Sequence, residues 1–100
     1  MIRQLNNNVA NATKKILKVR GNTLFVMKIL KELSIEDITC IETIKRIGDG
    51  DDEPNQEGFD FVYDCVYKVH RTVDEEAESL AYGVDFCELL EEGAKLLGII

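Results

Sequence analysis

Nowhere in the chain do eighteen apolar residues follow one another, the length a membrane-crossing helix needs. The opening MIRQLNNN carries an arginine with no apolar stretch behind it. A transmembrane span and a secretory leader are therefore both unexpected, and the cytoplasm is the expected compartment. Tryptophan is absent, and proline and histidine each occur once. With His70 as the lone imidazole, no serine or cysteine stands in a recognisable nucleophile–base context, and no paired-ligand spacing for a metal exists. His70 itself is expected as a surface or hydrogen-bonded polar residue. Cys40, Cys65 and Cys87 are odd in number and far apart, which suits reduced, mostly buried thiols acting as small hydrophobes rather than a disulfide framework. Glycine-rich phosphate loops are missing as well. Together these absences predict a protein that is no enzyme and binds no cofactor or metal.

What is present is an ordinary globular balance. One hundred residues with 45% hydrophobic and 31% charged side chains make one domain, 1–100, large enough for its own core. The net charge of −7 is unevenly spread. Residues 1–33 hold seven Lys or Arg against Glu32 alone, residues 34–58 hold two against eight acids, and residues 59–100 hold three against ten. One end is basic and the body acidic.

The period of the apolar residues sets the expected elements. Ile2, Leu5, Val9, Ala12, Ile16 and Val19 form one helical stripe, predicting a first helix over Arg3 to Lys18 that needs a partner in the same chain or in a second copy. Gly21-Asn22 ends it. A second, mostly buried helix is expected over Leu24 to Leu33, with a β-hairpin turn at Gly21-Asn22 as the competing reading. FDFVYDCVYKVH, residues 59–70, alternates Phe59, Phe61, Tyr63, Cys65, Tyr67 and Val69 at period two and predicts a strand. ITCIETIKRI, within 37–47, is rich in isoleucine and threonine and predicts its antiparallel partner, bulged near Glu42 to Ile44. The resulting class is α+β: two N-terminal helices, a hairpin, and a C-terminal helical segment. A mobile acidic loop over 48–58 would join the strands. Thr72 to Glu76 reads as a helix start. Beyond it the apolar stripe changes face at Gly83, so the expectation is either a kink or break there, with Asp85-Phe86-Cys87-Glu88 spaced as a capping box, or a continuous helix whose second half leaves the core to meet another subunit.

Candidate sites follow from these faces. Asp49-x-Asp51-x-Glu53 resembles the start of a calcium loop, but Pro54 replaces the turn glycine, Asp60 replaces the closing glutamate, and the expected flanks are strands. A solvated acidic loop is the expectation. Phe86, Leu89, Leu90 and Leu97, with Asp85, Glu88, Glu91 and Glu92, are the expected protein-binding residues, since they form an apolar and acidic face with no evident cover. The function expected is a small acidic cytosolic protein-binding module that forms a homo-oligomer. In its sharper form it is an inhibitor or nucleic-acid mimic directed at a basic, nucleic-acid-handling partner, as a phage or mobile-element antagonist would be. Two alternatives stand beside it: a nucleic-acid-binding regulator using Lys14, Lys15 and Lys18, and a self-assembling structural subunit.

Overall fold

Among the described residues the fold has six helices: α1 (Asn7–Lys18), α2 (Thr23–Lys31), α3 (Ile35–Gly48), α4 (Gln56–Tyr67), α5 (Val73–Ala81) and α6 (Phe86–Leu96). They are seen in a computed structural model that describes residues 1–69 and 71–100. No strand occurs among the described residues, so the expected α+β class and its hairpin are corrected to an all-helical bundle. His70 lies outside the described residues. None of the helices among them is long and apolar enough to cross a membrane.

Five of the six helices start on a side-chain cap written in the local sequence. Asn6, Asn22, Ser34, Asn55 and Thr72 each accept a hydrogen bond from the backbone N–H three residues on, satisfying a donor the helix itself leaves free. At Thr72 the bond is reciprocal, because the Glu75 carboxylate accepts from the Thr72 N–H at 3.0 Å. These bonds hold the Glu75 carboxyl below its ordinary range. The sixth helix departs from expectation: Asp85 makes no side-chain cap bond, so the proposed capping box does not form.

α3 replaces the expected strand at 37–47 and is the centre of the bundle. Its residues Ile38 to Ile44 are buried without interruption, and Ile47 with them. Isoleucines at 35, 38, 41, 44 and 47 regress by about 60° per step at 100° per residue, so they wind around the helix and meet different neighbours. α1, α4, α5 and α6 all pack on α3. A helix enclosed on every side shows no polar face, which is why its composition imitates a buried strand. Its threonines do not break it, because the Thr39 and Thr43 hydroxyls donate to the Ile35 and Thr39 carbonyls at 2.6 and 2.8 Å.

α4 likewise replaces the expected strand at 59–70. Phe59, Val62 and Val66 are buried and Tyr63 partly so, a helical spacing that coexists in the same residues with the period-two alternation. Tertiary packing selects the helical set and leaves Phe61 and Cys65 exposed. The expected loop shrinks at both ends, since Gly48 belongs to α3 and Gln56 to Gly58 belong to α4. Ahead of α1, the N-terminal segment is stitched across α4. Gln4 Nε2 and Gln56 Nε2 both donate to Asp60 Oδ1 at 2.7 Å, and the Arg3 N–H donates to Gln56 Oε1 at 2.8 Å.

α1 is shorter than expected, starting after a turn in which the Leu5 N–H donates to the Ile2 carbonyl. Its stripe finds its partner within the chain: Ile2, Val9, Ala12 and Ile16 join the main core. Gly21 adopts a left-handed φ of 90°, and a helix rather than a hairpin follows it. α2 is less buried than expected. Only Val26 and Leu30 are enclosed, while Leu24 and Phe25 face solvent. The chain breaks between Ala81 and Phe86, around Gly83, so the two C-terminal helices bury separate faces: Glu76, Ala77 and Leu80 from α5, and Phe86, Leu90, Gly93 and Ala94 from α6.

α3 and α6 approach backbone to backbone. A Cβ added at Gly93 would fall on the Ile44 carbonyl oxygen, and one at Gly48 on the Leu89 carbonyl oxygen. Neither neighbour is a side-chain end that can swing aside. Gly93→Ala is therefore expected to force the helices apart at a cost of roughly 1–3 kcal/mol, lowering the thermal midpoint by on the order of 10 °C in a domain of this size. A midpoint unchanged from the parent would contradict the packing. The thiols make a second check. Burial, then the nearby Asp37, pushes Cys40 up to about 12, whereas Cys65 is exposed on α4. A water-soluble thiol reagent should label Cys65 in the native protein and reach Cys40 only after unfolding.

Candidate functional site

Two carboxyls meet where α5 crosses α3. Glu42 on α3 and Glu76 on α5 are 8% and 5% exposed, and they line one cleft of about 180 Å³ together with Lys45, Arg46, Arg71 and Phe86. The helical period puts Glu42 one turn before Arg46, whose Nε and Nη2 both reach Glu42 Oε2 at 2.9 Å. Glu42 is thus an ion-paired carboxylate with its charge compensated on one side. Glu76 has no such partner, and its Oε1 is enclosed without a hydrogen bond. Burial first, then hydrogen bonding to and the charge of Glu42, push the Glu76 carboxyl up to about 8, against a smaller opposing pull from Arg71 and Arg46. At neutral pH Glu76 therefore keeps its proton beside the Arg46-paired Glu42. Such a split pair can act as acid and base, but a general acid must touch the atom it protonates. The free oxygen of Glu76 is closed off from solvent, so the arrangement holds a proton inside the interface.

A different surface gathers at the end of the bundle where α2 begins. A cleft of about 340 Å³ is walled by Arg20, Thr23, Val26, Val84, Phe86 and Glu88. On its wall Val84 is 97% exposed; Tyr82 beside it in the chain is more than half exposed, as are Phe25 and Leu24 on α2, where Leu24 lines a separate cleft with Met27, Lys28 and Lys31. Asp85, Glu88 and Glu92 are exposed at the start and along the outer side of α6, and none of the four ion pairs among the described residues involves them.

The residues expected to bind protein therefore divide. Phe86 and Leu90 belong to the core, so they are corrected from contact residues to packing residues, and Leu90→Asp would report unfolding rather than dissociation. Leu89 and Leu97 are half-buried, Leu97 packing against both apolar clusters. Asp85, Glu88 and Glu92 are on the surface. Glu91 is tied to Arg20 by contacts of 3.1 and 3.2 Å, and that bond lowers the carboxyl and raises the guanidinium. Leu24, Phe25, Tyr82 and Val84 were not legible as a group. The available signal was Val84 standing between Gly83 and Asp85, an apolar residue in a helix break with no face on which to bury.

Lys14, Lys15 and Lys18 are all exposed on α1, but Lys15 shares a cleft with Glu32 and Asp37, which offset its charge locally. The acidic connection needs one correction: its flanks are the helices α3 and α4 rather than strands. Pro54 still occupies the turn position, and the Asp60 carboxylate is engaged by Gln4, Gln56 and Arg3, the bond from Gln4 doing most to lower it. Among the described residues no group of three or more His, Cys, Asp or Glu could hold a metal ion. No protein-family model, curated protein or solved structure matches the chain.

The Glu42–Arg46 pair yields a direct check. Arg46→Met leaves a mostly buried carboxylate without its donor and should cost roughly 1–3 kcal/mol, read as a lower urea midpoint at pH 7. Arg46→Lys should recover only part, because an ammonium cannot offer the two-pronged contact. Equal midpoints for all three proteins would show that Glu42 is solvated.

Proposed function

We propose that the chain is a protein-binding module whose contact surface is the end of the bundle made by the start of α2 and the α5–α6 connection. One observation carries this reading. Val84 stands almost fully exposed on the wall of a cleft that joins Thr23 and Val26 of α2 to Ala81, Gly83 and Phe86, and its chain neighbour Tyr82 and the α2 residues Leu24 and Phe25 are exposed as well. Isolated exposed apolar residues are ordinary, but a group of large ones rimmed by charge is the usual form of a contact site. Asp85 and Glu88 adjoin this surface, with Glu92 one turn further along α6.

The partner is a protein with a basic rim around an apolar centre. Free carboxylates beside the apolar group steer such a partner and reject an acidic one. Inhibition of a nucleic-acid-handling protein is the sharper form of the same reading, with the carboxylates of α6 in place of spaced phosphates. This surface replaces the one centred on Phe86 and Leu90.

The test is capture by the tagged full chain from nuclease-treated lysate of the source cells, repeated with two surface variants. Val84→Asp and the double variant Asp85→Lys/Glu88→Lys should retain the parent's thermal midpoint and lose a stoichiometric basic partner. Capture by the parent chain should also weaken as salt rises. A partner retained by both variants would move the contact elsewhere. Recovery of only the chain itself, at a defined oligomeric mass, would replace the basic partner with a second copy.

A further inference from the structure

We propose that Glu42 and Glu76 form a proton-held clasp that fastens α5, and the α2 helix packed on it, to the central helix α3. Loss of the shared proton would let the α2–α5 pair open while the body of α3, α4 and α6 stays folded. The clasp stands independently of the binding surface proposed above.

Geometry singles out this pair of helices. α5 fully buries only Glu76, Ala77 and Leu80, and α2 only Val26 and Leu30, with Met27, Ile29, Val73 and Ala81 partly buried against the core. Between them runs the Lys31–Glu78 ion pair at 3.6 Å, with both side chains more than a third exposed, a contact that adds little. α5 thus commits one of its three buried positions to a carboxyl that faces another carboxyl. Around Glu76 stand Glu42, Lys45 and Arg46 from α3, Arg71 from the segment before α5, Tyr67 from the end of α4 and Ser79 on its own helix; α6 brings only the uncharged Phe86. Arg46 is already engaged with Glu42, and Glu76 Oε1 has no donor. One shared proton is the arrangement that lets both carboxyls stay enclosed. Two enclosed negative charges facing each other would favour the open form, in which both reach water. Helices held by few apolar contacts are the ones that open locally.

The sign follows from the proton count. The closed form binds a proton on Glu76 up to about pH 8, while the open form releases it near the ordinary 4.5. Opening is then suppressed at low pH and grows as pH rises, about tenfold per unit within that window, levelling above it.

Amide hydrogen exchange on the full chain from pH 5 to 9, corrected for the intrinsic rate, tests this. The expected result is an opening constant for α5 and α2 that climbs about tenfold per pH unit to pH 8, with α3 and α6 unchanged. Glu76→Gln keeps the shape and removes the titration, so its α5 protection should be flat with pH and exceed the parent's at pH 8.5. Parent protection independent of pH would overturn the clasp, and so would the same slope in Glu76→Gln. A pH-dependent loss shared equally by all helices would also overturn it, assigning the pair to global stability instead.

Discussion

Everything else in the bundle is arranged around the backbone contact between α3 and α6. Two glycines, Gly48 and Gly93, let the helices pass with no side chain between them, each opposite a carbonyl of the other helix. Helix axes brought this close multiply weak dispersion contacts along their length. The approach also has a geometric consequence for the rest of the fold. With α6 drawn against one flank, where Ile44 meets Gly93, the other isoleucines of α3 are shared among its remaining neighbours, Ile47 packing with Val62 and Val66 of α4 and the rest joining the main core.

That centrality explains what could be read in advance. Two helix starts were legible from their caps, at Asn22 and Thr72, whereas the caps at Asn6, Ser34 and Asn55 went unread because the segments behind Ser34 and Asn55 resembled strands and the stripe of α1 extends ahead of Asn6. The change of face at Gly83 was legible because α5 and α6 each have one buried side and one wet side. α3 was not, since amphipathic period is a record of contact with water and Ile38 to Ile44 have almost none. In α4 the residues carry both periods at once. Phe59, Val62 and Val66 satisfy the helix while Phe59, Phe61 and Tyr63 satisfy the strand, and only the tertiary neighbours choose between them. The exposed Phe61 marks the cost of that choice. For the candidate sites, charge was the readable part: Asp85, Glu88 and Glu92 stand on the surface, whereas the apolar positions depended on which face of α6 meets α3. Glu42 and Glu76 could not be paired from sequence, because their meeting is a property of how α5 crosses α3.

The molecule thus separates two uses of carboxylates. Those on the outer side of α6 stay in water, where they contribute to the negative field around the molecule. The pair between α3 and α5 is withdrawn from water and coupled to a proton. The same residue type contributes a long-range field in one place and a local dependence on pH in the other, and burial decides which.

The stitching of Gln4 across Gln56 and Asp60 bears on the order in which the chain can assemble. These partners are more than fifty residues apart in sequence, so closing them requires a long loop to give up its freedom. During synthesis Gln4 leaves the ribosome well before α4 does, and its side chain lacks these partners until Asp60 has followed. The segment around Gln4 is therefore among the last parts to settle, a strap that closes only after the helix it crosses has formed.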